Sequence, residues 1–208
     1  MDFDYNLHVF TSPDFQSVVM EAIDFFAQTP VHSLPPPKQL LGPGVYGLYY
    51  TGDYELYAAI AKLNQDAYTQ PIYIGKAVPP GARTGRILRS DALDLYLRLA
   101  EHARSIQQGA KLGVEDFTCR FMVLNNIERD LIVPVESALI RKYAPLWNVF
   151  VSGFGNHDPG SGRYKQARSE WDVLHPGRLW AENLTGGAPS LEEVIAKVRF
   201  VLAESLFP

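Results

Sequence analysis

Gly42-Pro43-Gly44-Val45-Tyr46-Gly47-Leu48-Tyr49-Tyr50 and Pro71-Ile72-Tyr73-Ile74-Gly75-Lys76 are the two stretches on which the fold turns. The first runs into a β-branched and aromatic block, Val45–Tyr50, which reads as a strand. Within the second, Pro71–Gly75, with Tyr73 placed 27 positions after Tyr46 and Lys76 following immediately, is a shorter strand of the same make-up. The opening glycines fit G-x-G-x-x-G literally. A dinucleotide loop, however, follows a strand and opens a helix, whereas these glycines precede and enter the strand and carry Pro43 inside the loop. The dinucleotide reading is rejected on that ground.

Outward from these strands the pattern alternates. Ser12-Pro13, followed by Phe15, Val18, Val19, Ala22, Ile23 and Phe26, reads as a capped amphipathic helix with proline in its first turn, closed off by Pro35-Pro36-Pro37. Tyr54–Leu63 reads as a short helix, Ala77–Ser90 as a loop, and Asp91–Gln108 as a longer helix with an apolar stripe of Leu93, Leu97, Ala100 and Ile106. Phe117–Leu124 supplies a third strand. Val135–Tyr143 is a helix with Pro134 at its start and Pro145 beyond its end, Gly153–Gly162 is a glycine-rich loop, and Leu191–Leu206 is a closing amphipathic helix. The order predicts a small α/β or α+β core with helical additions at both ends, with no internal repeat. The expected organisation is one integrated domain: an N-terminal helical extension (1–42), a core (43–150), and a glycine-rich loop with a C-terminal helical extension (151–208).

Hydrophobic residues make up 47% of the 208 and charged residues 20%, enough apolar side chains for a real core and too many for disorder. The apolar runs are too short to cross a bilayer, and Met1–Tyr5 lacks the features of a signal peptide. Cys119 is the single cysteine, which excludes an intramolecular disulfide and a cysteine zinc site. A cytoplasmic protein with no membrane partner is the expectation. The net charge of −4 is unevenly placed. Residues 76–111 carry seven basic side chains against three acidic, and 141–180 six against three, and such local patches matter more to a polyanion than the total does.

Each chemistry-bearing residue has an ordinary structural reading when taken alone. Tyr46 and Tyr73 suit the cores of two strands. Arg98 and His102, four apart, share one helix face, which solvent could cover. Glu136, in the first turn of its expected helix, could complement the helix dipole, and Asn148, after Pro145-Leu146-Trp147, could be turn chemistry.

Taken in order, Tyr46, Tyr73, Lys76, Arg98, His102, Glu136 and Asn148 resemble the signature of the GIY-YIG nucleases, over about residues 43–150, with Val45 where the family motif has isoleucine. The resemblance implies a compact core with a three-stranded, mainly antiparallel sheet flanked by helices, elaborated by terminal helices and long DNA-binding loops. Val31–Pro37, Val45–Gly52, Pro71–Pro79, Pro145–Asn148, Gly153–His157 and Trp171–Gly177 are similar to the branch of dimeric type II restriction endonucleases that cut the palindrome CCGCGG. Membership of that branch implies double-stranded DNA and a second copy of the chain as partners, with a companion DNA methyltransferase acting on the same site.

Phosphodiester hydrolysis then assigns roles. Glu136 is the natural ligand for one hard divalent ion, Mg²⁺ kept largely hydrated, with Mn²⁺ tolerated in its place. Arg98 holds the phosphate through paired hydrogen bonds, and Asn148 orients the phosphate, a metal-bound water or Glu136. Lys76 lowers a tyrosine pKa or touches the phosphate. The base stays open among Tyr46, Tyr73 and His102: a free tyrosine is only about 0.1% ionised at pH 7, whereas histidine titrates near 6.5. DNA contacts are expected from Arg83, Arg86 and Arg89, and from Asn156, His157, Arg163 and Lys165, most of them to phosphates. Two alternatives share the scaffold: a nicking or structure-selective repair nuclease, and a DNA-binding module without catalysis.

Overall fold

The computed structural model describes residues 3–79 and 92–205. Four strands, β1 (Val31–Ser33), β2 (Gly44–Tyr50), β3 (Tyr73–Ala77) and β4 (Phe117–Val123), form one sheet in the order β1-β4-β2-β3, every neighbouring pair antiparallel. Among the described residues six α-helices accompany it: α1 (Pro13–Gln28), α2 (Ala58–Asn64), α3 (Asp94–Gln108), α4 (Ile132–Tyr143), α5 (Glu170–Leu174) and α6 (Leu191–Ser205). The class is α+β, one of the two readings the order of elements leaves open, with the antiparallel sheet that the family resemblance implies. The sheet has four strands rather than three, because Val31-His32-Ser33 pairs with Thr118–Arg120 at the outer edge. Three residues are too few to show an alternation, so only the pairing reveals this strand.

The sheet is covered on both faces. One face carries Val45, Ile74 and Met122 against Val19, Ile23 and Phe26 of α1 and Ile132, Val135 and Leu139 of α4. The other carries Tyr46, Leu48, Tyr50 and Cys119 against Leu95, Leu99 and Ile106 of α3, Val194 and Val198 of α6, and the aromatic group Trp147, Phe154 and Trp171. Antiparallel sheets often leave one face wet. Here neither is, which is why all seven residues of β2 are buried and why its sequence shows no polar alternation. Burial pushes the Cys119 thiol up to about 12, so it behaves as a small core residue.

Two helices differ from expectation in ways that move site residues. In α3 the buried stripe is Leu95, Leu99, His102, Ala103 and Ile106, while Leu97 is 53% exposed, so His102 points inward rather than along a solvated face. α4 starts at Ile132, three residues earlier than the proline suggests. Pro134 occupies the third helical position, where its missing N–H costs no intrahelical bond, and Glu136 lies beyond the first turn, which holds no acidic residue. A dipole partner is thereby removed as the reading of Glu136.

The N-terminal helix is an integral wall. Ser12 accepts a hydrogen bond from the Phe15 N–H at 3.3 Å, capping α1, and Phe26 is fully buried beneath Gly47. Phe26→Ala should cost about 3–5 kcal/mol. Urea denaturation should show this as a lower midpoint in a single transition. A loss confined to α1, with the sheet melting at the original midpoint, would contradict the packing described.

Candidate active site

β3 is an edge strand, and the candidate site is built across it. Successive side chains leave a strand on opposite faces. Tyr73 and Gly75 therefore point toward α3, while Ile74 and Lys76 point toward α4. Among the described residues no strand pairs with the outer rim of β3, and the Asn148 side chain takes that place: its Oδ1 accepts from the Ile74 N–H and its Nδ2 donates to the Ile74 carbonyl, both at 2.7 Å. Pro145 and a π-type turn, Leu146–Phe150, present Asn148 for this bridge, and the Trp147 N–H donates to the Ile72 carbonyl beside it. Asn148 thus spends both ends of its amide on the backbone between Tyr73 and Lys76.

On the α3 side, Tyr46 of β2 sits opposite Gly75, and its hydroxyl lies 2.6 Å from His102 Nε2. A Cβ at position 75 would stand 2.4 Å from that hydroxyl, so only glycine lets the ring lie across β3. Tyr73 packs edge-on 5.2 Å from the His102 ring, Phe154 stacks on that imidazole at 4.7 Å, and the Tyr73 and Phe154 rings meet each other at 4.9 Å. Burial first, then the electrostatic influence of Arg98, His157 and Arg178, holds the His102 pKa well below its ordinary value. The imidazole is therefore neutral at pH 7, the form in which Nε2 can accept a proton from the Tyr46 hydroxyl. Burial, reinforced by Tyr73, raises the Tyr46 pKa well above 10, with Arg98 opposing; Tyr73 is raised by burial too, again against Arg98. Neither phenol is a standing base.

Arg98 is the half-buried cation of the group. Its Nη1 donates to Glu101 at 2.9 Å and lies 2.5 Å from His157 Nε2, and its Nη2 donates to the Gly155 carbonyl at 3.1 Å. Burial works against its charge, but the neighbouring tyrosines and Glu101 outweigh that and hold it protonated. On the α4 side, Lys76 forms an ion pair with Glu136 Oε2, and Glu136 bears electrostatically on both Tyr46 and Tyr73. An open cleft of about 430 Å³ lies over the junction, lined by Lys76, Asp94, Arg98, Glu101 and His157 among others.

The chemistry of the donors sets what cation could bind. No group of three or more His, Cys, Asp or Glu suited to a metal occurs among the described residues. Glu136 offers one carboxylate, 14% exposed, with Lys76 on one of its oxygens. This fits a hydrated Mg²⁺ held by a single carboxylate with water completing the shell, and does not fit a cage of several carboxylates.

Tyr46, Tyr73, Lys76, Arg98, His102 and Glu136 therefore surround one junction, with Asn148 behind it. Asn156, His157 and Arg163 line a second depression of about 310 Å³ that meets the first at His157; Lys165 is exposed nearby. Arg83, Arg86 and Arg89 lie outside the described residues. Sequence reasoning missed Phe154, Gly155, Asp172, His175 and Arg178. His175 forms a second tyrosine–histidine pair: its Nδ1 donates to the Ala110 carbonyl at 2.9 Å, so its Nε2 accepts from Tyr57 at 2.6 Å. The available signal was Trp171-Asp172 and Arg178-Leu179-Trp180, opposite charges each beside a tryptophan.

An antiparallel sheet presenting two motif tyrosines, with an arginine and histidine from one helix and a glutamate from another, defines a GIY-YIG nuclease domain. The chain matches the family described as the Eco29kI GIY-YIG domain over residues 38–202. It belongs to that family, a restriction-endonuclease branch of the GIY-YIG nucleases, and is a nuclease domain acting on DNA. A search of curated proteins found no match. No helix among the described residues is long and apolar enough to cross a membrane.

The buried histidines give a pH signature. His102 and His175 both have depressed pKa values in the folded state, His175 down to about 4, mainly through burial. Below about pH 6.5 the unfolded chain binds protons that the folded chain refuses, so stability falls as pH drops. His175 alone should remove about 3 kcal/mol by pH 4. Thermal melts from pH 7.5 to 4 should show the decline, and His175→Gln should flatten it. An unchanged slope in that variant would remove His175 as a cause.

Proposed function

We propose that the protein is a metal-dependent type II restriction endonuclease, a homodimer that cuts double-stranded DNA at a GC-rich palindrome, CCGCGG. The observation that carries the reading is the convergence at β3 of a neutral Tyr46–His102 pair, the cation Arg98 and the carboxylate of Glu136. Hydrolysis of a phosphodiester needs a positioned water, a proton acceptor and stabilisation of the growing charge on the phosphate.

Arg98 holds the phosphate and meets the charge that develops on it; Glu101, Gly155 and His157 steady its guanidinium. Tyr46 and Tyr73 flank the attacking water. Tyr46 takes the water's proton while passing its own to His102 Nε2, which avoids forming a phenolate against its raised pKa. Glu136 would hold the Mg²⁺, or Mn²⁺, whose charge neutralises the phosphate and the departing oxygen. Lys76 keeps the Glu136 carboxylate at the rim of β3. Asn148 acts through β3, fixing the strand that carries Tyr73 and Lys76.

Asn156, His157, Arg163 and Lys165, with Arg83, Arg86 and Arg89, are the proposed DNA contacts, arginine to guanine suiting a GC-rich site. A palindrome calls for two-fold symmetry and one site per strand. The apolar surface exposed on α1, at Phe15, Val18 and Phe25, and on α6, at Phe200, suits the dimer interface. A companion methyltransferase protecting the same sequence completes the reading.

Glu136→Gln should retain DNA binding and lose cleavage by about 100-fold or more; substantial cleavage with Mg²⁺ would remove Glu136 as the metal ligand. Incubation of the protein with mixed plasmid DNA and Mg²⁺, followed by sequencing of fragment ends, should return discrete fragments sharing CCGCGG at their ends. Smears or single-strand nicks would point instead to a repair-type nuclease.

A further inference from the structure

Arg178 is the most heavily bonded buried cation described, and no step above uses it. It is 1% exposed. Its Nε and Nη2 donate to the two Asp172 oxygens at 2.7 and 2.8 Å. Its Nη1 and Nη2 also donate to the carbonyls of Phe154 at 3.0 Å, Asn156 at 3.3 Å and Gly153 at 2.9 Å. The guanidinium carbon lies over the rings of Trp171 and Trp180 at 4.5 and 4.7 Å. Ser169 fixes the carboxylate in turn, donating to Asp172 Oδ2 at 2.6 Å.

Those three carbonyls belong to one short loop, Gly153–His157, and they converge on a planar donor set only when the loop takes a single conformation. What the loop carries is the far wall of the site. Phe154 stacks on His102, the Gly155 carbonyl accepts from Arg98 Nη2, and His157 Nε2 meets Arg98 Nη1. Gly155 can have no side chain, since a Cβ would come within 2.7 Å of the Tyr73 hydroxyl. Consecutive loop residues thus touch Tyr73, Arg98 and His102. A buried ion pair is by itself weak evidence for stability, because apolar residues of similar volume often serve as well. Apolar residues cannot supply direction, meaning donors aimed at three particular carbonyls.

We propose that Arg178, fixed by Asp172, is a positioning residue for the reaction: through the Gly153–His157 loop it sets the orientation of Arg98 and the packing of His102, without itself touching DNA. The inference rests on the nuclease reading of the site, and the loop geometry can be tested apart from it.

The test compares Arg178→Lys with the double variant Arg178→Met/Asp172→Leu, which removes both charges and leaves no unpaired ion inside. Single-turnover cleavage with Mg²⁺ and duplex affinity without metal are measured for each, beside wild type. The expected result is affinity within about threefold of wild type and a cleavage rate reduced about 30-fold or more in the double variant, with the lysine, which can still donate to some of the carbonyls, in between. A second readout, the imidazole NMR titration of His102, needs no cleavage. It should move upward toward the ordinary histidine range in the double variant as Phe154 loosens and a nearby charge is lost, while Arg98, His157, Tyr46 and Tyr73 still face the ring. Folded variants with unchanged rate and unchanged titration would overturn the proposal, as would a rate loss that follows the unfolded fraction alone. Should the double variant not fold, the rate and affinity of Arg178→Lys decide by the same criteria. A wild-type protein that cuts no DNA, while the His102 titration still shifts in the variants, would count against the nuclease reading and leave the loop geometry standing.

Discussion

The site depends on an edge strand being held in place without a neighbouring strand. A free edge offers unpaired N–H and C=O groups and tends to fray or recruit other chains. Here the Asn148 amide closes the outer side of β3 at Ile74, with one bond in each direction. With the strand pinned at that residue, Tyr73 is fixed on one face and Lys76 on the other. An edge strand is also what lets groups from both faces meet. Arg98 and His102 come from the α3 side, Glu136 from the α4 side, and a central strand would keep the two sets apart by the thickness of the sheet.

Burial then decides what the assembled groups can do. Tyr46–His102 and Tyr57–His175 have the same 2.6 Å contact, and in both pairs burial depresses the imidazole and raises the phenol. The Tyr57 pair is closed on every side, by Trp147, Ala110 and the surrounding rings, and serves as a core hydrogen-bond network. The Tyr46 pair lies beside Arg98 and Glu136, next to an open cleft. Chemically alike pairs thus differ in surroundings: one is sealed in the core, the other borders charged groups and a cleft.

Much of this was legible in the residues. Val45–Tyr50, Tyr73–Gly75 and Phe117–Leu124 read as strands because β-branched and aromatic side chains leave few other options, and the capped start of α1 was plain from Ser12-Pro13. The order of Tyr46, Tyr73, Arg98, His102 and Glu136 pointed to the site. What failed was local inference at places where long-range packing decides. Spacing alone puts the α3 stripe on Leu97, whereas packing buries Leu95 and Leu99, because a helix with charged residues on several sides supports more than one apolar face. β1 was missed because three residues carry no period. Arg178 went unnoticed because an arginine in a loop is usually solvated, and only the closing of Trp171, Trp180 and Asp172 around it buries the charge.

The sequence by itself determined a small α/β or α+β core, the three principal strands and the residue types from which a GIY-YIG site is made, since side-chain shape and spacing along the chain encode these. Tertiary structure alone decided that Asn148 binds backbone, that His102 is buried and neutral, and that Gly153–His157 walls the site from beneath Arg98. Each of these depends on contacts between segments far apart in the chain, such as the 74 positions between Ile74 and Asn148 or the 56 between Tyr46 and His102. Burial and hydrogen-bond direction exist only once those segments have met.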